Sequence, residues 1–211
     1  MRLRDSGKSK PCLVAIVGGS GSGKTWLAER LKKSLGTKAL LISQDNFYRD
    51  RSHLSLQQRT RINFDNPAAI DWPLFHKVLR AVLNRRATLC PIYDFTTHCR
   101  PNSWRLIRPR RVILVDGLWL LRSPALRRLF DIRIFLECCQ KTRLERRLAR
   151  DLRTRGRTRE SILDQFRRTV EPMHARFVEK QRKWATVVLE EDFAEKEVKT
   201  LAAVIRGTLK R

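Results

Sequence analysis

Apolar residues fall along this chain in short continuous runs, separated by segments in which they recur every three or four positions. Cys12-Leu13-Val14-Ala15-Ile16-Val17 has no polar residue, which predicts a strand buried on both faces. Leu27 and Leu31 lie four apart, as on one face of a helix. Lys38 to Ser43 predicts a second strand. From Arg49 to Asn66 the chain is polar, with room for only a short helix near Ser55 to Arg59. Asp71-Trp72-Pro73 opens a helix with Asp71 as N-cap and Pro73 in its first turn; Leu74, Val78, Leu79 and Val82 keep helical spacing. Thr88 to Phe95 is extended, and Pro91 argues for an edge. With Ser103 to Ile107 it predicts a hairpin projecting from the main sheet. Val112 to Val115 is another buried strand, ending in Asp116-Gly117, and Ile132 to Leu136 a further one. Helices are predicted over Lys141 to Leu152 and Arg159 to Phe177, then a last strand from Thr186 to Leu189 and a closing helix from Glu195 to Leu209. No internal repeat is present. Strands alternating with helices predict an α/β fold, a parallel sheet with helices on both faces. The expected organisation is a disordered basic lead over residues 1–10 and one domain over 11–211, with the hairpin insertion at 88–108 and an arginine-rich lid at 151–160.

The length of 211 residues suits one such domain. No run approaches the roughly 18 apolar residues needed to span a bilayer, and the polar N-terminus lacks the apolar region of a signal peptide. The expectation is a cytosolic protein without a membrane partner. Five cysteines, with no C-x-x-C pair, read mostly as reduced core or near-core residues. The charge is unusual: 46 Lys+Arg against 21 Asp+Glu, a net +25. Such a surface attracts nucleic acid. Aromatics do not interleave with the basic runs as single-strand stacking requires, so specific nucleic-acid binding is not expected.

Between the first strand and first helix lies Gly18-Gly19-Ser20-Gly21-Ser22-Gly23-Lys24-Thr25, which fits G-x-x-x-x-G-K-[ST] in the strand–turn–helix setting where that pattern has meaning. Its glycines let successive N–H groups turn toward one anion, and the helix N-terminus adds partial positive charge. Lys24, read as an exposed loop lysine, would reach the β- and γ-phosphates of ATP or GTP, and the Thr25 hydroxyl would ligate Mg²⁺. These features make the fold a P-loop NTPase type. In such sheets ligands lie beyond the carboxyl ends of the strands, where Asp45 and Asp116 also fall. Asp116 is the candidate metal carboxylate; Asp45 is a candidate general base and further metal ligand. Arg143, Arg147 and Arg150 share a helical face and lead into Arg153, Arg155 and Arg157 around Gly156, which suits a lid closing on triphosphate.

The phosphate loop, Asp45-Asn46-Phe47-Tyr48, Asn63-Phe64-Asp65-Asn66-Pro67, Pro91-Ile92-Tyr93-Asp94-Phe95-Thr96-Thr97-His98, and Arg147-Leu148-Ala149-Arg150-Asp151 with Arg155-Gly156-Arg157 resemble, in order, the uridine (uridine–cytidine) kinase family. The likeness runs from about Leu13 to Leu189, and the tyrosine-to-histidine segment is its most specific part. The resemblance implies Mg²⁺-dependent transfer of the γ-phosphate of ATP or GTP to the 5′-hydroxyl of uridine or cytidine. It implies Asp45 as the base at that hydroxyl, Asp65 as the carboxylate on the ribose hydroxyls, and Arg147 as its partner. Tyr93, Phe95 and His98 would enclose and read the pyrimidine, with Gln165 a further base contact, while Arg150, Arg155 and Arg157 lie around the triphosphate. A homotetramer is implied as well. Three positions depart from the pattern: Asp116 stands where the family more often has Glu, Asn46 replaces a usual Ser, and Trp26 follows Thr25 where a small polar residue is common. Trp26 reads as core. Two other functions stay open at this level. One is a P-loop kinase acting on another small alcohol, in the manner of phosphoribulokinase or pantothenate kinase. The other is a basic nucleic-acid-binding NTPase.

Overall fold

Successive side chains of the first strand, β1 (Cys12–Gly18), are divided between two apolar layers, since a strand's residues point alternately to opposite faces. Leu13, Ala15 and Val17 enter one layer; Cys12, Val14 and Ile16 enter the other. The computed structural model, which describes residues 10–100 and 102–209, builds its main sheet around this strand. The other members are β2 (Ala39–Ser43), β5 (Val112–Gly117), β6 (Ile132–Leu136) and β7 (Val187–Leu189). Their order is β2-β5-β1-β6-β7, with every pairing parallel. β3 (Thr88–Pro91) and β4 (Trp104–Ile107) form the separate antiparallel hairpin, so Pro91 costs the main sheet no hydrogen bond.

Helices cover both faces. On one, α1 (Lys24–Leu35) and α8 (Glu195–Thr208) supply Leu27, Leu31, Val198, Leu201 and Ile205. On the other, α3 (Trp72–Leu83) supplies Phe75, Val78, Leu79 and Val82. Each such side chain, removed from water, contributes about 1.5–3 kcal/mol. The Asp71 side chain accepts from the Leu74 N–H at 3.2 Å and caps α3 as its sequence predicts. The short α2 (Leu56–Thr60) carries a capping box between Ser55 and Gln58, and α4 (Pro124–Arg127) is one turn that no periodicity announces.

After α5 (Gln140–Thr154) and α6 (Arg159–Gln165), the predicted helix to Phe177 is corrected. The chain stays helical to Trp184, through wide turns at Phe166–Val170 and His174–Val178 on either side of α7 (Glu171–Met173). Wide turns of this type shift the register of the buried face and often mark functional sites.

Two further expectations are settled by side-chain burial. Trp26 is not core: it is 39% exposed and meets Phe193 edge-on at 5.6 Å. Only Cys12 and Cys90 are buried; Cys99 and Cys138 are half-buried, and Cys139 is exposed as the N-cap of α5. The basic lead lies, except for Lys10, outside the described residues. Among those residues no helix is long and apolar enough to cross a membrane.

Candidate functional site

The glycine-rich segment leaves β1 and closes into α1 with Gly21 and Gly23 at φ +83° and +95°, which only glycine adopts without strain. A Cβ on Gly19 would lie 2.8 Å from both the Arg143 Cδ and the His174 Nδ1, so the loop is packed tightly from behind. Arg143 is 2% exposed there and pairs with Glu171 at 2.7 Å. His174 is held neutral, its pKa pushed down to about 4 by burial and by Arg143. Lys24 is not the exposed loop residue its position suggests. It is the first residue of α1, 9% exposed, and its Nζ donates to the Gly19 carbonyl at 3.0 Å. Burial lowers its pKa, while Asp45 and Asp116 pull the other way.

Both carboxylates sit at strand ends beside this loop. The Thr25 hydroxyl donates to the Asp116 Oδ2 at 3.1 Å. Burial, with Asp45 next, pushes the Asp116 carboxyl up to about 6. Its Oδ1 makes no hydrogen bond of normal geometry among the described residues, although the Ser43 hydroxyl helps to hold the ionised form. A buried carboxylate oxygen left over, a hydroxyl and a second carboxylate are the hard oxygen donors that Mg²⁺ takes together with triphosphate oxygens. The residues therefore fit that ion. Asp45 lies in the single turn Gln44–Phe47 after β2. Gln44 fixes this turn, its Oε1 accepting from the Leu118 and Trp119 N–H groups at 3.0 and 3.1 Å. A Cβ on Gly117 would come within 2.5 Å of that oxygen, so a side chain next to Asp116 would push the two strand ends apart. Gln181 holds the same loop from the other side, through the Leu121 N–H and the Leu118 carbonyl.

A cleft of about 640 Å³ adjoins this polar end. Lys24, Thr25, Asp45, Arg147 and Arg150 line it together with Tyr48, Phe64, Tyr93, Phe95 and His98. The aromatics form one cluster. Tyr48 meets Tyr93 at 5.0 Å, Tyr93 meets Phe95 at 5.2 Å, and His98 stacks on Phe64 at 4.9 Å with the planes 13° apart. The Asn46 Oδ1 accepts from the Tyr93 N–H at 3.3 Å, so the Asn46 departure ties the hairpin to the Asp45 turn. Burial, together with Arg157 and Arg155, lowers the His98 pKa. Its ring is then neutral near pH 7, offering one donor and one acceptor. Asp65 also lines the cleft and is 8% exposed. Its Oδ2 accepts from the Thr169 hydroxyl at 3.3 Å. Burial raises its pKa, opposed by the Arg147 charge and that hydroxyl.

The arginines do not form a uniform solvated face. Arg143 lies behind the phosphate loop, Arg153 is exposed, and the other four converge on Asp151, which is fully buried. Arg150, Arg147, Arg155 and Arg157 reach its carboxylate at 2.8, 3.4, 3.5 and 4.0 Å. Arg147 also donates to the Ser20 hydroxyl at 2.8 Å and to the Gln165 Oε1 at 2.7 Å. Arg157 shares that Gln165 oxygen, and Arg155 lies 4.2 Å over the Phe95 ring. Gln165 thus faces two guanidinium groups through its carbonyl. Sequence reasoning assigned Asp151 no role, although it sits four residues from both Arg147 and Arg155, the spacing at which opposite charges meet on a helix.

Burial raises the Asp151 pKa, but Arg147, the Arg150 hydrogen bond and the other guanidinium groups outweigh it, and the net shift is downward. A depressed carboxylate contributes stability that is complete above its unfolded pKa of about 3.9 and lost as pH falls through the folded value. Asp151→Asn is expected to cost about 1.5–3 kcal/mol at pH 7, toward the lower figure because Arg150 is 38% exposed to water. Denaturant melts from pH 7 to pH 3 should show the gap between wild type and variant closing toward acid. A gap independent of pH would mean that shape rather than charge is what the variant loses.

Asp45, Asp65, Tyr93, Phe95, His98, Arg147, Arg150, Arg155, Arg157 and Gln165 all line this cleft, and Asp116 joins it through Thr25, whereas Arg153 does not line it. Comparisons with known proteins identify the family. Residues 13–196 match the model of the phosphoribulokinase/uridine kinase family. A uridine kinase of Halalkalibacterium halodurans is 39% identical over 183 residues, covering 86% of this chain and 87% of the relative. One from Alkaliphilus metalliredigens is 38% identical over 184 residues, covering 87% and 88%. Among solved structures, phosphoribulokinase from Rhodobacter spheroides aligns with a TM-score of 0.64 at 19% identity, covering 86% of this chain and 70% of that one, a likeness of fold.

Proposed function

The chain belongs to the phosphoribulokinase/uridine kinase family, and from that membership and its cleft we propose that it transfers the γ-phosphate of ATP or GTP to the 5′-hydroxyl of uridine or cytidine. The observation that carries this reading is one cleft lined by residues of the phosphate loop, by Asp45, by the buried Asp65 and by the Tyr93–Phe95–His98 aromatic wall.

In this reading the loop's N–H groups and Lys24 bind the triphosphate, and Asp45 orients the acceptor hydroxyl and takes its proton. Thr25, Asp116 and Asp45 would hold Mg²⁺, which supplies neutralisation of triphosphate charge. Asp65 accepts both ribose hydroxyls, a geometry that suits one carboxylate and two vicinal donors. The aromatic wall covers the base, and His98 pairs with its polar edge. Arg150, Arg155 and Arg157, gathered by Asp151, close over the phosphates as a lid, excluding the water that would otherwise accept the phosphoryl group. A transfer assay with γ-labelled ATP across pyrimidine and purine nucleosides, sugar phosphates and pantothenate tests the whole assignment. Label is expected on uridine and cytidine. Label chiefly on another alcohol, or released as phosphate, would refute it.

His98→Ala is expected to raise the KM for uridine about tenfold, the loss of one or two hydrogen bonds, and to leave the KM for ATP unchanged. Equal effects on both substrates would make His98 a packing residue of the Phe64 stack. Asp65→Asn should raise the uridine KM by about 10–100-fold, and most of the preference for uridine over 2′-deoxyuridine should go with it, because a site built around a hydroxyl penalises the analogue without one. If the deoxy discrimination survived in this variant, Asp65 would not be the ribose carboxylate.

A further inference from the structure

Ion pairing absorbs Arg143, Arg147, Arg150, Arg155 and Arg157 but leaves a second basic region untouched. In the order β2-β5-β1, Ala39, Val112 and Cys12 stand at one level of the register, so three neighbouring strands begin side by side. Neighbouring strands lie about 4.8 Å apart. This edge is the end of the sheet opposite the phosphate loop, Asp45 and Asp116. Each strand is entered through cations: Lys10 before β1, Lys38 before β2, Arg108 and Arg110 before β5. The last turn of α1 adds Lys32 and Lys33. All six are exposed, and none joins an ion pair among the described residues.

The surroundings are pinned by backbone contacts. The Cys12 N–H donates to the Arg111 carbonyl at 2.9 Å, the Arg111 Nη2 to the Leu209 carbonyl at 2.8 Å, and the Arg206 Nη2 to the Ser34 carbonyl at 2.8 Å. The acid bordering this edge, Asp131, turns its carboxylate onto the Leu13 N–H at 2.8 Å. Like charges gathered at one edge repel one another, and a polyanion that binds across them relieves that repulsion.

We propose that this pole is a docking surface for the phosphate backbone of double-stranded or folded nucleic acid, held without base selectivity. Arg108 and Arg110 carry planar forks that match phosphate oxygens, and the four lysines act as point charges around them. The cations come from the segments leading into three strands and from one helix end. None comes from an amphipathic helix whose apolar face would enter a bilayer. A duplex needs no stacking platform, so the scarcity of aromatics among the basic runs fits it better than a single strand. Lys32 and Lys33 also border a groove shared with Glu29, Thr25 and Asp116, whereas Lys10, Lys38, Arg108 and Arg110 line neither that groove nor the cleft, so binding through these four is independent of the kinase assignment.

The test is binding of the full chain to a labelled mixed-sequence duplex of about two helical turns, read by anisotropy from about 50 to 200 mM KCl. With about four phosphate contacts, affinity should fall by about 10²-fold across that range, with a log–log slope near −3.6. Changing the duplex sequence should make no difference. The triple variant Lys38→Glu/Arg108→Glu/Arg110→Glu should bind at least about tenfold more weakly, with a slope shallower by about three. Lys38→Gln/Arg108→Gln/Arg110→Gln should fall between it and wild type, and both variants should phosphorylate uridine as wild type does. No binding at the lowest salt would overturn the proposal. Binding unchanged in both variants would overturn it too. So would retention on phosphatidylserine vesicles without binding to the duplex.

Discussion

Asp45→Asn is expected to lower kcat for uridine phosphorylation by about 10²–10⁴, the contribution of a positioned general base, while the KM for uridine stays close to wild type. Asparagine keeps the size of the side chain and one acceptor oxygen, so the acceptor hydroxyl still has a hydrogen-bond partner but no group to take its proton. The fold should not notice. Asp45 is half-buried in a single turn whose position is set by its neighbour, through the Gln44 Oε1 bonds to Leu118 and Trp119. A loss in kcat matched by the same loss in kcat/KM identifies an interaction made in the transition state. Single-turnover measurements with saturating ATP separate the chemical step from product release. A rise in KM at constant kcat would instead make Asp45 a binding residue and move the base elsewhere in the cleft.

The fold follows closely from the hydrophobic pattern where that pattern is dense. β1 and β5 are apolar at nearly every position because both faces of their sheet are covered, and a buried parallel strand has no other signature. α3 declares itself through Asp71, Pro73 and its four-residue apolar spacing. The pattern thins where packing is polar. From Phe166 to Val178 the wide turns change which residues face inward, so a fixed period of 3.6 loses the buried face and the helix seems to end early. α4 is a single turn, held by the Ser123 cap, and is too short to have a period at all.

A similar division applies to the candidate site. Residues in local motifs, such as the phosphate loop or Tyr93 to His98, are visible because backbone geometry and chemistry are set within a few positions. The residues that hold those motifs in place are separated from them in sequence. Gln44 meets Leu118 and Trp119, Gln181 meets Leu121, and Glu171 meets Arg143. None of these pairs leaves a periodic trace. The arginine run shows the cost of reading charge alone. A helix rich in arginine usually faces water, yet Arg143 and Arg147 are buried here because Glu171, Asp151 and Ser20 lie within reach.

Lys24→Ala is expected to reduce kcat/KM for ATP-dependent uridine phosphorylation by about 10²–10³, the usual cost of removing one preorganised cation or donor from a developing negative charge. The burial of this lysine makes the prediction sharper than an exposed residue would. An ammonium group desolvated in the cleft, with its pKa lowered by burial, has little water to compete with triphosphate oxygens. Its hydrogen bond to the Gly19 carbonyl at 3.0 Å is with the loop that would carry the phosphates, so the side chain is already aimed. Removing it takes a charge out of a poorly solvated place and leaves alanine, the best helix former, at the first position of α1. Stability should therefore change by no more than about 1 kcal/mol. Lys24→Arg should not rescue activity, because the larger planar head must fit beneath a loop already packed against Arg143 and His174. Thermal melts beside steady-state kinetics decide the matter. Near wild-type turnover in Lys24→Ala would remove the phosphate-loop assignment, and a collapse of the melting transition would show that the lysine holds the loop's structure rather than the triphosphate.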